Sequence, residues 1–163
     1  MQVLRGQHGN GTGLYTEAQR QRRDSSPWTL VQGILAPLQF LVFLVSLGLV
    51  LRTLVTGEGA ALANASVIVK TLLLYTIMVT GSLWEKDVFG KYLFAPAFFW
   101  EDVVSFGVIA LHTAYLFSLL NGWLDEQGLM WLALVAYAAY VSNAAQFLMK
   151  LRAARLQSAG AMS

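Results

Sequence analysis

The sequence predicts an all-α, polytopic membrane protein built as a four-helix transmembrane bundle, and three observations predict it. Of 163 residues, 56% are apolar and 12% charged, with a mean hydropathy of +0.56; a soluble globule carries about 25% charged residues. The apolar residues gather in four runs, about 28–51, 62–84, 97–120 and 128–149. Each is long enough to cross a hydrocarbon layer of roughly 30 Å at 1.5 Å per residue. The connections between runs are short and polar, with Gly57, Gly59, Gly90 and Gly122 among their residues. The length suits one domain, so residues 26–152 are expected to form it, between a flexible tail at 1–25 and a disordered tail at 153–163.

Composition also removes function classes. There is no cysteine, hence no disulfide framework, thiolate metal site or cysteine nucleophile. The net charge of +2 and pI near 9.0 come from basic tails, so no nucleic-acid partner is expected. The first apolar run is too long for a signal peptide and lacks a small-residue cleavage site.

Taken in order, Met1 to Ser25 is polar and glycine-rich, with a solvated His8 and a short interfacial helix expected over Thr16 to Arg23. Ser26 before Pro27 starts the first span, because serine caps free backbone donors and proline takes the position where its missing N–H costs nothing. Gln32, Gln39 and Ser46 lie seven residues apart and form a polar seam of the kind that faces neighbouring helices. Pro37 is expected to kink this helix. The second span holds Lys70 about 12 Å inside its outer end, where it either snorkels outward or partners His112. On the third span Glu101, Ser105, His112 and Tyr115 share a narrow stripe, and Asp102 shares the adjacent face with Phe106, Ile109 and Thr113. On the fourth, Ala138 and Ser142 give a small-residue face. Asn143, Gln146 and Lys150 share one side near its end, bonding to other helices or lining a pocket floor.

Lysine and arginine set the expected orientation. Four precede the first span, two lie between Glu85 and Pro96 and three follow the fourth span, whereas the opposite turns hold only Arg52. The positive-inside rule then places both termini and the central connection in the cytoplasm. That connection, Gly81 to Asp102, holds four of the nine carboxylates, Glu85, Asp87, Glu101 and Asp102. Glu85 and Asp87 read singly as loop charges paired with Lys86 and Lys91. Glu101 and Asp102 lie past Pro96, behind Phe98, Phe99 and Trp100, where an ionisable group is a functional candidate. Between Trp84 and those rings a carboxyl group loses hydration and is suited to hold and donate a proton. Flat aromatic side chains suit a flat apolar ligand, although such belts also occur at membrane interfaces without one.

No Walker loop, dinucleotide fingerprint, paired zinc histidines or nucleophile elbow occurs, and Glu-x-x-His pairs for a di-iron bundle are absent. A small proton-coupled carrier using Lys70, His112 and Glu101 lacks the inverted repeat and paired broken helices of such folds.

The stretches VQGILAPLQFLVFLVSLGLVLR (Val31 to Arg52), VKTLLLYTIMVTGSLWEKDVFGKYLFAPAFFWEDV (Val69 to Val103), ALHTAYL (Ala110 to Leu116) and AYAAYVSNAAQFLMKLR (Ala136 to Arg152) closely resemble the 3-vinyl bacteriochlorophyllide hydratases of purple bacteria, as does LYTEAQRQRRD (Leu14 to Asp24) in the tail. The resemblance implies a hydro-lyase of bacteriochlorophyll synthesis that adds water to the C3 vinyl group of chlorophyllide or bacteriochlorophyllide, giving a 1-hydroxyethyl group. It implies a multi-pass protein of the bacterial inner or intracytoplasmic membrane, in contact with lipid and with neighbouring enzymes of that synthesis. No cofactor is implied; magnesium arrives in the chlorin substrate. The alternative from another class is a non-catalytic chlorin carrier or assembly protein.

For hydration the expected catalytic residues are Glu101, Asp102 and Glu85. Glu101 or Asp102 acts as acid, while a neighbouring carboxylate stabilises the developing cation and orients water. Lys86 or Lys91 meets the substrate propionate, and Trp84, Trp100, Asn143 and His112 line the substrate. His112 could instead be an axial ligand to the substrate's magnesium, in a deeper site. It lies eleven residues from Glu101, about 16 Å along one helix. A chlorin vinyl group is less than half that distance from its metal, so the two placements exclude each other and the carboxylate end is favoured.

Overall fold

The computed structural model describes residues 13–161 as helices joined by short connections, with no strand among them. The first helix, α1 (Glu17–Ser25), is fixed by a capping box: Gln19 N–H donates to Thr16 Oγ1 at 3.2 Å, and Thr16 N–H to Gln19 Oε1 at 2.9 Å. Glu17 in its first turn and Arg22 and Arg23 in its last complement the helix dipole. Ser26 then caps α2 (Pro27–Thr56), accepting the Trp28 N–H at 3.3 Å. α3 (Ala60–Phe89) follows, then a 3-10 turn (Pro96–Phe98), α4 (Phe99–Asn121) and α5 (Glu126–Ala161). Gly57, Gly90 and Gly122 end α2, α3 and α4 in the left-handed conformation that only glycine adopts freely.

Four stretches are long and apolar enough to cross a membrane: Pro27–Thr56, Ala60–Phe89, Pro96–Asn121 and Glu126–Gly160. They overrun the expected spans at their polar ends, because capped helices do not stop where the hydrocarbon does. α2 runs through Pro37 without ending. The tails also differ from expectation. Residues 17–25 form α1, in keeping with the short helix expected over Thr16 to Arg23, but packed rather than flexible, and α5 continues to Ala161. The reason is packing: the Tyr15 ring stacks on Phe89 at 5.8 Å, and Arg20 donates to Ser158 Oγ at 3.3 Å. Burial pushes the Tyr15 phenol above the usual tyrosine range, against the lowering influence of Arg23, whose guanidinium lies 4.7 Å from the ring centroid. His8 lies outside the described residues.

α2 packs along α3 and α4 along α5; the two hairpins join less closely, through α2 with α5 and, slightly less, α3 with α4. The core between them holds Phe43, Val50, Val67, Val108, Met130 and Tyr137. The α2 seam meets neighbours: Gln32 donates to Thr80 Oγ1 at 2.6 Å, and Ser46 bonds Ser66 at 2.7 Å and the Tyr137 hydroxyl at 2.5 Å. Contacts between Ser26 and Asp87 (2.7 Å) and between Ala97 and Lys150 set α1, the α3–α4 connection and the far part of α5 at one end of the bundle.

Lys70 does not snorkel and makes no hydrogen bond with His112. Both are fully buried, and the Lys70 amine and His112 Nε2 lack hydrogen-bond partners among the described residues. The amine lies 3.5 Å from the centroid of the Tyr140 ring. An unpartnered buried polar group costs stability, and replacing it by an apolar group of like shape is neutral or favourable. Lys70→Met is therefore expected to leave the protein as stable or to stabilise it by about 1–2 kcal/mol, read from the thermal unfolding midpoint in detergent.

Candidate active site

The site is assembled where α3 ends and α4 begins. Gly90 stops α3 one turn past Glu85, and Pro96 opens the 3-10 turn that leads into α4. Glu101 and Asp102 thereby fall in the first turn of α4, where free backbone N–H groups favour carboxylates. All three acids are buried: Glu85 is 4%, Glu101 6% and Asp102 3% exposed.

They divide into two arrangements. The Glu85 and Asp102 side chains lie within hydrogen-bonding reach of each other, across the α3–α4 boundary. A hydrogen bond between two carboxyl groups requires a proton on one of them. Each also holds the connection in place. Phe94 N–H donates to Asp102 Oδ2 at 2.9 Å and Ala95 N–H to Glu85 Oε2 at 3.3 Å. Phe94 is the one non-glycine residue with positive φ among those described, at 61°, a conformation that costs about 1–3 kcal/mol and persists only where the surroundings impose it. The bond to Asp102 does so, with ring contacts to Phe106 (5.5 Å, 17°) and Phe99 (5.7 Å, 51°).

Glu101 belongs to the second arrangement. Its carboxylate pairs with Lys150 Nζ at 2.9 Å, and that amine also donates to the Ala97 carbonyl. Asn143 Nδ2 donates to the Glu101 carbonyl at 2.9 Å; Ser105 Oγ reaches the same carbonyl at 2.8 Å and Asn143 Oδ1 at 3.0 Å. The arrangement ties α4 to α5 and sets an ion pair close enough to Asp102 to act on it electrostatically.

The remaining expected site residues scatter. Trp84 donates to Thr29 Oγ1 at 3.0 Å and packs edge-on against Phe89 and Phe98. Lys86 donates to the carbonyl of Gly90 at 3.1 Å and leans over Tyr92. Lys91 is exposed at the rim. Trp100 is 68% exposed and turned outward from the acids. His112 sits deep in the bundle. Its Nδ1 donates to the Val108 carbonyl at 2.8 Å, and its ring packs near Tyr137. Sequence reasoning placed Lys150 beside Asn143 and Gln146 on α5 without seeing that it pairs with Glu101. Their spacing on α5 was the available signal. Nothing in the sequence marks Phe94.

Comparison with known proteins gives a consistent result. The family described as 2-vinyl bacteriochlorophyllide hydratase (BCHF) matches residues 15–153. A protein of Cereibacter sphaeroides named 2-vinyl bacteriochlorophyllide hydratase is 72% identical over 144 residues, covering 88% of this chain and 89% of that protein. One of Rhodobacter capsulatus with the same name is 70% identical over 146 residues, covering 90% and 85%. No solved structure matches.

Proposed function

The chain belongs to the 2-vinyl bacteriochlorophyllide hydratase family, and from that premise we propose that its Glu85–Asp102 pair is the acid–base centre that adds water to the ring vinyl group of chlorophyllide or bacteriochlorophyllide. The position numbered 2 in the relatives' name is C3 in current ring numbering. The observation that carries the assignment is the closeness of the two carboxyl groups, both buried at one end of the bundle.

The chemistry asks for a proton at the terminal vinyl carbon. The pair donates its shared hydrogen there, the carbon–carbon π electrons forming the new C–H bond. Positive charge is left on the carbon attached to the macrocycle, where conjugation spreads it. The pair, now without its proton, offers negative charge to that cation and takes a proton from the incoming water as the C–O bond forms. The proton returns to where it began, and the net change is one water added. The reaction neither oxidises nor reduces, so the scheme uses no cofactor, and magnesium belongs to the substrate. Glu101, neutralised by Lys150, supports the geometry without donating. Lys91 is free at the rim to meet the propionate, whereas Lys86 is held by Gly90.

His112 supports this placement over the deeper one, because its Nε2 is sealed in the core and reaches a metal only if the helices separate. We place the carboxylate end in the cytoplasm of a bacterial inner or intracytoplasmic membrane, following the basic residues gathered there, with other enzymes of the same synthesis as neighbours. Purified protein mixed with chlorophyllide in buffer, without reductant or nucleotide, is expected to give a product heavier by one water. A spectral shift with unchanged mass would identify a pigment carrier instead.

A further inference from the structure

The outward faces of the helices are not alike. α2 presents Leu30, Ile34, Leu38, Leu41 and Val45, the branched aliphatic surface expected against lipid tails. α4 presents an open groove of about 640 Å³ lined by Ala110 and Ala114 with Ile109 and Thr113 beside them, Phe106 at one end and Phe117 and Trp123 at the other. The volume falls within the range of about 300–1,000 Å³ typical of small-molecule sites. Phe106 to Phe117 spans eleven residues, about 16 Å along the helix. Small residues between aromatic ends make a flat, shallow bed, which suits a rigid planar ring better than flexible acyl chains.

The groove ends close to the acid–base centre. Asp102 precedes Phe106 by one helical turn, about 6 Å. The ring of Phe94, whose N–H is held by Asp102, stacks on Phe106 at the boundary. Along the groove the Thr113 hydroxyl lies 2.5 Å from that of Tyr75 on α3. One of their two hydrogens joins them, leaving the other for an oxygen substituent on a ligand.

We propose that this α4 groove is the bed of the tetrapyrrole macrocycle, with its vinyl-bearing edge toward Phe106 and the Phe94 ring as the screen between that edge and Asp102. The proposal rests on the hydratase reading for the identity of the ligand. The substrate approaches through the side of the bundle, from the membrane, and the strained Phe94 is the element that moves to admit the vinyl group.

The test uses the full chain in detergent or nanodiscs and chlorophyllide as probe, with binding followed by quenching of tryptophan fluorescence and turnover by product mass. Ala110→Trp and Ala114→Trp fill the bed from its outward side; Thr113→Val keeps the side-chain size and removes the hydroxyl; Leu41→Trp adds the same bulk on α2. Weakening of chlorophyllide binding by about tenfold or more in both bed variants, with a matching rise in KM, is expected. Thr113→Val is expected to weaken binding in the same direction, and Leu41→Trp to bind as the unaltered protein does. Unchanged binding in Ala110→Trp and Ala114→Trp, or an equal loss in Leu41→Trp, would overturn the proposal. If the unaltered protein binds chlorophyllide and forms no hydrated product, the hydratase reading fails while the binding comparison still judges the groove.

Discussion

Glu85→Gln and Asp102→Asn are each expected to lower hydration turnover by about 10²-fold or more, the usual contribution of a positioned acid–base group, while chlorophyllide binding changes little. The amides keep the carbonyl oxygens that accept the Phe94 and Ala95 N–H groups, so the connection between α3 and α4 stays anchored. What they lose is the acidic hydrogen and the capacity to take it back. Because the proton belongs to the pair, the double variant is expected to be scarcely slower than the worse single one, since residues acting as a unit are strongly non-additive. Glu101→Gln gives the contrast: its carboxylate is occupied by Lys150, and a smaller loss is expected. Near-normal turnover in both Glu85→Gln and Asp102→Asn, measured as product mass against time, would remove the pair from the mechanism.

Lys150→Met is expected to destabilise the protein by about 2–3 kcal/mol. Removing one partner of a well-buried ion pair costs about 3–5 kcal/mol, and the Lys150 side chain is 30% exposed, which lets water soften the loss. The substitution leaves a buried carboxylate at Glu101 and an unmet carbonyl at Ala97. Glu101→Leu added to Lys150→Met is expected to restore part of the loss, because an apolar pair of similar volume needs no partner. Thermal unfolding of the three variants checks this; equal midpoints for the unaltered protein and Lys150→Met would show the pair to be without structural weight.

The fold was largely legible because each span declares itself by length and hydropathy, and because Ser26-Pro27 and the glycines at 57, 90 and 122 punctuate it. The tails were less so. Leu14, Tyr15 and Ala154 pack against the Trp84–Phe98 cluster, and a polar, arginine-rich segment does not advertise such long-range contacts. Within the site, Glu101 and Asp102 stood out because carboxylates inside an apolar run are costly, whereas Glu85 read singly as a loop charge paired with a lysine and is in fact buried, with Lys86 turned to the Gly90 carbonyl. The division of labour among them was not visible, since it depends on which helix each faces. Asp102 looks across to α3 and Glu101 to α5, a difference of one residue and about 100° on the helix. Lys70 was misjudged for a related reason. Snorkelling needs an outward-facing stem, and the amine turns instead toward Tyr140 on another helix.

The uneven packing of the four spans has a consequence for where the product goes. With α2 and α5 as the common spine, the edge between α3 and α4 is held at several levels, by Tyr75 with Thr113 and Asn64 with Tyr115 inside the bundle and by the Glu85–Asp102 contact at its end. Under the proposed mechanism, chemistry that consumes and restores the proton of the Glu85–Asp102 contact would loosen and remake that end of the edge once in every turnover. A hydroxylated ring released at that edge would leave sideways, into one leaflet of the membrane.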